Sequence, residues 1–337
     1  MSFNNSFSQQ PLPCSIIIVS WNTRELLDRC ISTITESLAG SAIQAAVMVV
    51  DNASHDGTPA MLRERHPAVE LIESGANLGF AGGNNLALRR LALRGWRLRN
   101  ADAPQADAVL LLNPDTEIIG DALTVMLSYL ASHADVNVLG PRLRYADGSI
   151  QSSRRRFPTP AMFFFESTPI ANRWPNNPWA RRYAMQAPGD PPDSIVQDVG
   201  WLVGAALLVR RSAIEQVGIL DAGFHMYSEE TEWQERLAAL GGRIVYLPEA
   251  EIRHYEGKSS EQAITARSIN FHSSRLRYAG MRHGPGLERM ACSVLSIGLI
   301  IEAALELAKW ILGHRRDLRA QRLGIYRALL RQLLGQA

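Results

Sequence analysis

Cysteine is scarce: Cys14, Cys30 and Cys292 are the three in 337 residues. Their number is odd and none stand at metal-ligand spacing. That excludes a disulfide scaffold and a cysteine zinc site, and leaves reduced, structural thiols of a cytosolic compartment. Net charge is nearly absent, at a formal +2, so nothing global calls for nucleic acid as a partner. Long apolar runs are missing as well. The longest uncharged, mainly apolar stretch, Met290 to Ile301, is short of the roughly 20 residues a spanning helix needs. Residues 1–13 have neither a basic n-region nor an apolar h-region, which excludes a signal peptide and reads as a disordered leader. No internal repeat is evident.

What is present is a core and an uneven charge. Apolar residues make up 46% of the chain, enough for one large domain or two. From Arg253 to Ala337 there are 14 Lys/Arg against 6 Asp/Glu, so a basic tail follows a mildly acidic body. Such a tail favours an anionic partner surface, with membrane lipid first.

Short β-branched runs without alternation predict buried parallel strands at Ser15–Ser20, Ala45–Val50, Val69–Glu73 and Ala108–Leu112. Helices are predicted between them, from Thr23 to about Leu38, to about Arg65, and from the Asn77–Asn85 turn to about Leu93. This alternation predicts a doubly wound α/β half with right-handed crossovers. Such sheets bind ligands beyond the carboxyl ends of their strands. Three polar segments fall there: Asp51-Asn-Ala-Ser-His-Asp-Gly-Thr58, Asn77-Leu-Gly-Phe-Ala-Gly-Gly-Asn84 and Asn113-Pro-Asp-Thr-Glu117. The glycines of the second let backbone N–H groups approach a phosphate at a helix N-terminus. In the third, Asp115 and Glu117 offer hard oxygen ligands for Mg²⁺ or Mn²⁺. Taken singly, each also fits a capping or glycine turn.

Beyond Pro141 the composition shifts. Asp147-Gly148 signals a hairpin, and residues 154–192 form a loop-rich stretch of Pro, Trp, Phe and Arg that suits a mobile wall over an acceptor. A strand is expected near Trp201–Arg211. Ser228 is placed to N-cap a helix whose first turn holds Glu229, Glu230 and Glu232, acids that also stabilise the helix dipole. A strand from Arg243 leads to His254. After Ser260 come a helix from Arg267 to about Tyr278, an apolar one from Leu287 to Leu312, and a basic one. That pattern reads as an interfacial anchor, the alternative being a dimerising or domain-packing helix pair.

Together, Val19-Ser-Trp-Asn22, the three segments above, Trp201-Leu-Val-Gly-Ala205, Met226-Tyr-Ser-Glu-Glu-Thr-Glu-Trp233 with Arg236, and His254 resemble the family 2 glycosyltransferases. The resemblance is greatest to the bacterial rhamnosyltransferase-like branch that builds cell-surface polysaccharides such as O-antigen and cell wall. It covers about Ser15 to Ser260 and implies a GT-A fold: a Rossmann-like, mixed but mostly parallel sheet with helices on both faces. Residues 14–260 would be the transferase, with a nucleotide-sugar half (14–140) and an acceptor half (141–260). Residues 261–337 would be a separate helical region.

By the same resemblance, Asp51 contacts the base, and Asn22, Asn77, Gly79, Gly82, Gly83, Asn84 and Asp115 contact the nucleotide. Asp115, Glu117 and His254 hold Mg²⁺ or Mn²⁺. Glu230 is the general base, with Glu229 the neighbouring candidate, and both Glu230 and Glu232 stand where the family usually has Asp. Trp201, Tyr227, Glu232 and Trp233 line the acceptor. The implied reaction is inverting transfer from a nucleotide sugar, dTDP-rhamnose in this branch, to a glycan or lipid-linked hydroxyl at the cytoplasmic face of the membrane. Another UDP-, dTDP- or GDP-hexose is the alternative donor. A nucleotidyltransferase would want a basic glycine-rich signature after the first strand, which Trp21-Asn-Thr-Arg24 is not. A non-catalytic binding module would not need three carboxylates at 229–232.

Overall fold

The computed structural model describes residues 10–256 and 264–335. Residues 1–9 of the expected leader, and the expected boundary after Ser260, lie outside the described residues. The elements begin with β1 (Cys14–Ser20), α1 (Arg24–Leu38), β2 (Ala45–Asp51), α2 (Thr58–Arg65), β3 (Glu70–Glu73), α3 (Gly79–Leu93) and β4 (Ala108–Leu112). There follow β5 (Thr116–Ile119), α4 (Ala122–Ser132), β6 (Val136–Arg144), β7 (Ile150–Gln151) and β8 (Arg154–Arg155). Next come α5 (Pro160–Glu166), α6 (Pro169–Arg173), α7 (Pro178–Tyr183), β9 (Gln197–Asp198), β10 (Trp201–Leu202) and β11 (Ala206–Arg210). Then α8 (Arg211–Val217), α9 (Glu229–Ala239), β12 (Arg243–His254), α10 (Ile264–His283), α11 (Pro285–Ile311) and α12 (Arg316–Gly335) complete the chain. It divides into two compact units: Met1–Arg156 with Pro191–His225 and Glu229–Ser259, and Phe157–Asp190 with Met226–Ser228 and Ser260–Ala337.

The first unit is built on one sheet in the order β3-β2-β1-β4-β11-β6-β12-β5, with β7 beside β6 and β9 beside β12. The pairs β3–β2, β2–β1, β1–β4 and β6–β12 are parallel. Strand β11 runs antiparallel between β4 and β6, and β5 runs antiparallel to β12. The unbroken apolar runs of β1 and β4 follow from cover on both faces. Ile16 and Ile18 join Leu27, Cys30, Ile31 and Ile34 of α1 in the main core. On the other face α3 approaches so closely that a Cβ on Gly83 would lie 2.7 Å from Val19 Cγ1. Burial pushes the thiols of Cys14 and Cys30 up to about 12, so both stay protonated and inert, as expected of structural thiols.

The second unit holds α10, α11 and α12 around Leu276, Ala291, Leu295, Leu299, Leu329 and Leu333. The stretch 157–190, expected as loop, carries the three short helices α5, α6 and α7 in this unit. Each starts with proline directly after Thr159, Thr168 or Asn177. Proline at the first helical position fits because its missing N–H would have no intrahelical partner there. The reading that no apolar stretch reaches spanning length is also corrected. α11 has 27 residues and an 18-residue window of mean hydropathy 1.9, so by length and composition it is long enough to cross a membrane. The uncharged run is shorter because Glu302 and Glu306 interrupt it, without interrupting the helix.

Candidate active site

Parallel order puts the carboxyl ends of β1, β2 and β4 on one edge of the sheet, with the amino end of antiparallel β11 beside them. The polar segments therefore collect there. Their loops are tied together by backbone bonds: Asn52 N–H donates to the Ser20 carbonyl (2.8 Å), Ser74 N–H to the Asp51 carbonyl (3.1 Å) and Asn113 N–H to the Ala205 carbonyl (2.9 Å).

Asp51 is buried, and its Oδ2 accepts the Ser54 N–H at 3.0 Å while Oδ1 has no partner. A buried carboxylate oxygen without a donor is costly, and an N–H of a bound base would relieve it. Asn22 is held in the left-handed region (φ 50°), with its N–H on Ser54 Oγ and its Oδ1 accepting the His55 N–H. Its amide thus shapes the loop after β2.

The glycine segment has a structural explanation that the sequence did not carry. Gly79 lies at φ 71°, and a Cβ there would sit 2.0 Å from the His225 carbonyl oxygen, which accepts the Phe80 N–H at 3.0 Å. Asn77 Oδ1 accepts the Gly79 N–H, and Asn52 Nδ2 donates to the Gly79 carbonyl. Gly82 presses on Leu78, and Gly83 on Val19. Asn84 donates back to the Phe80 carbonyl within α3. These residues close-pack the turn; Asn85, which exchanges two bonds with Leu220, completes the tie.

Asp115 and His254, both buried, come together with Oδ1 and Nε2 3.4 Å apart. His254 Nδ1 lies 3.0 Å from Gln151 Oε1, and Asn113 Nδ2 lies 3.3 Å from Nε2. The contact with Gln151 holds the ring so that Nε2 faces the Asp115 carboxylate. One imidazole nitrogen and one carboxylate oxygen thus converge within 3.4 Å, with the Asn113 amide beside them. Gln151 fixes the orientation of the His254 ring. Nothing in the sequence marked it, because it lies 103 residues from its partner.

Glu117 does not join this pair. Register places Glu117 across from Arg253 and Thr116 across from His254. Accordingly Glu117 accepts Arg253 Nη1 at 2.8 Å and Tyr255 Oη at 2.9 Å, and the Arg253 guanidinium is raised above its usual range by that hydrogen bond first. The expected set of Asp115, Glu117 and His254 is therefore corrected: among the described residues no three His, Cys, Asp or Glu side chains stand together to hold a metal.

Glu230 stands at the start of α9 against Gly204, where a Cβ would meet its Cγ at 3.4 Å and its Cδ at 3.7 Å. Glu229 beside it is buried. Helix α9 is fixed to β10 by Gln234, fully buried, whose Oε1 accepts the Leu202 N–H and whose Nε2 donates to the Leu202 carbonyl, each at 2.8 Å. Tyr227 and Ser228 precede it at φ 71° and 67°, so Ser228 lacks the extended backbone expected of an N-cap.

The expected acceptor residues fare differently. Trp233 is wholly buried, with Nε1 donating to the Gly218 carbonyl. Glu232 is paired with Arg236, which also donates to the carbonyls of Val217 and Ile219. Trp233, without an exposed face, thus anchors α9, and Glu232 holds the Arg236 that ties α9 to Val217 and Ile219. Trp201 is nearly buried and donates to the Arg156 carbonyl. Tyr227 falls in the second unit, edge-on to Phe271.

The family described as "Glycosyl transferase family 2" matches residues 15–189. The N-acetylglucosaminyl-diphospho-decaprenol L-rhamnosyltransferase of Mycobacterium tuberculosis (strain CDC 1551 / Oshkosh) is 32% identical over 271 residues, 80% of this chain and 84% of that protein. A low-salt glycan biosynthesis hexosyltransferase of Haloferax volcanii is 27% identical over 65% of this chain and 59% of its own length. Among solved structures, a mannosyltransferase from Pyrobaculum calidifontis in complex with GDP-Man and Mn²⁺ superposes with a TM-score of 0.54 at 16% identity. It covers 98% of this chain and 89% of its own.

Proposed function

The chain belongs to glycosyl transferase family 2, and from that premise we propose that it moves rhamnose from dTDP-rhamnose to a hydroxyl of a lipid-linked glycan, with inversion. It is a glycosyltransferase with the GT-A fold, similar to rhamnosyltransferases of cell-surface glycan synthesis. The observation that carries the finer reading is topological. Asp51, the Asp115–His254 pair and the Gly204 wall against Glu230 all stand at one edge of one sheet.

In this reading Asp51 Oδ1 accepts an N–H of the pyrimidine, satisfying its open lone pair. The donor set of Asp115 and His254, one carboxylate and one imidazole oriented by Gln151, fits a divalent cation, Mg²⁺ or Mn²⁺. Bound there, the cation would stabilise charge on the departing diphosphate as a Lewis acid. Glu230 takes the proton of the acceptor hydroxyl as its oxygen bonds to the anomeric carbon, while the bond to the nucleoside diphosphate breaks. In this reading the acceptor oxygen attacks the anomeric carbon directly with Glu230 as its one base, a single displacement and hence inversion. The acceptor is carried on lipid, which places the work at the cytoplasmic, inner face of the cell membrane.

The test is turnover of labelled dTDP-rhamnose by wild type and Glu230→Gln, with and without Mn²⁺. General-base loss lowers the rate by about 10²–10⁴, with donor binding by thermal shift unchanged. Retention of more than about a tenth of the rate would move the base to Glu229. A larger thermal shift with a UDP- or GDP-sugar than with dTDP-rhamnose would overturn the donor.

A further inference from the structure

Helix α11 is turned inside out for a helix in water. Its outward side chains are apolar: Ile297, Ile300, Ile301, Leu307 and Ile311 are 46–62% exposed. At 3.6 residues per turn they fall within an arc of about 120°. Its acids point the other way. Glu306 is 2% exposed and is bound by Arg319, Lys309 and Arg322; Glu302 is paired with Arg173 of α6 at 2.8 Å. A surface helix of a soluble domain has the opposite arrangement, its apolar stripe inward and its charges outward.

The short helices beside α11 extend this character. Phe164, Ile170, Trp174 and Trp179 are 45–55% exposed, and the two tryptophans pack edge-on 6.4 Å apart. At the end of α11 the guanidinium of Arg316 lies 5.5 Å over the ring of Trp310. Tryptophan and arginine are the side chains that settle at the boundary between acyl chains and headgroups. The surroundings are basic: the three segments of this unit hold 15 Lys/Arg against 7 Asp/Glu. Arg315, Arg316, Arg322, Arg327 and Arg331 are exposed.

We infer that the outward face of α11, with the aromatic side chains of α5, α6 and α7, is a monotopic insertion surface that lodges in the headgroup boundary of an anionic lipid bilayer. It rests on the reading that the acceptor is lipid-borne. Charge selects this occupant over a second copy of the chain, because two surfaces rimmed with arginine repel, whereas anionic headgroups attract each arginine. The acids exclude full crossing. Spanning would carry the Glu306–Arg319 and Glu302–Arg173 pairs and the packed faces of α10 and α12 into hydrocarbon, whereas insertion of the outward face alone leaves them in place.

The full chain is sedimented with phosphatidylcholine vesicles containing one-third phosphatidylglycerol and with phosphatidylcholine alone, beside the double variant Ile297→Asp/Ile301→Asp. Wild type is expected to bind the anionic vesicles, and both the variant and the neutral vesicles to lower binding by tenfold or more. Brominated acyl chains should quench wild-type tryptophan emission, and Trp174→Phe/Trp179→Phe should reduce that quenching. Wild type left in the supernatant overturns the inference, as does a variant that binds equally well. So does a concentration-dependent wild-type dimer that the aspartates dissociate, which would make a second copy the occupant. Donor turnover with a soluble acceptor is followed in parallel. A variant that loses vesicles but keeps turnover supports the surface, whereas vesicle binding without turnover in wild type overturns the transferase reading alone.

Discussion

Replacing Gln234 by leucine tests whether α9 is held in place by one side chain. The amide makes two bonds of 2.8 Å to the backbone of Leu202, whose side chain is 1% exposed, and a third of 3.0 Å to the Glu230 carbonyl. Leucine fills nearly the same volume, so no large cavity arises, but the Leu202 N–H and C=O lose these partners. Each stranded buried group costs about 1–3 kcal/mol, so the pair predicts a loss of roughly 2–6 kcal/mol. The comparison is Gln216→Leu, whose amide donates to the Ser212 carbonyl in an exposed position. The same chemical change there should stay within about 0.5 kcal/mol.

Urea unfolding followed by tryptophan emission reads the stability difference, and steady-state turnover reads its consequence. Gln234 anchors the helix that carries Glu230, so slack in it would displace the proposed base. A misplacement of about 1 Å can lower a rate about 10²-fold. In the proposed reading the donor contacts follow β1, β2 and β4, so donor affinity should hold while kcat falls. A variant as stable as wild type to within about 0.5 kcal/mol, with kcat intact, would refute the reasoning.

Gly79→Ala and Gly75→Ala separate conformation from contact, since both have φ above 70° but Gly75 has open space around its Cβ position. Left-handed backbone costs alanine about 1–2 kcal/mol at either site. The His225 carbonyl at Gly79 adds a further 1–3 or so, and equal unfolding midpoints for the two variants would contradict that close approach. For the tail, burial alone would push the Glu306 carboxyl up, but hydrogen bonds from Arg319 and Lys309 carry it below its ordinary 4.5. A depressed carboxyl stabilises the folded form above its unfolded value and loses that contribution as pH falls through the folded one. Wild type should therefore lose tail stability below about pH 4.5, whereas Glu306→Gln should be weaker at neutral pH and flatter across that window. Parallel acid profiles by circular dichroism would contradict this.

The fold was legible where a single segment decides its own environment. A strand covered on both faces must be apolar throughout, and β1, β2 and β4 announce themselves by that alone. The glycine turn and helix α3 were legible for a similar reason, and the glycines also pack closely against His225 and Val19. What was missed needed a partner or a different measure. β5 is four residues long and exists because β12, some 135 residues later, pairs with it. The helices α5, α6 and α7 did leave a signal: a capping-type residue followed by proline, three times at nine-residue spacing. Prolines and aromatics were read there as loop composition. In α11 the helix itself was expected, from Leu287 to Leu312; counting only the uncharged run concealed that it reaches spanning length, because its acids are paired with arginines on other elements.

The Asp-x-Glu turn shows why a motif can be found without its geometry. Sequence spacing places Asp115 and Glu117 on one face of an ideal strand, which favours a shared ligand. Yet Asp115 precedes β5, in the turn after Asn113, and is free to meet His254. Glu117 lies inside the ladder, where pairing with β12 commits it to Arg253 and Tyr255. One residue of strand content thus separates the two carboxylates. The ion pair has a role of its own: with Tyr255 N–H on the Asp115 carbonyl at 2.9 Å, it clamps the end of β12 that presents His254. Glu117 thereby positions the histidine from the neighbouring register, holding in place the strand end that carries it.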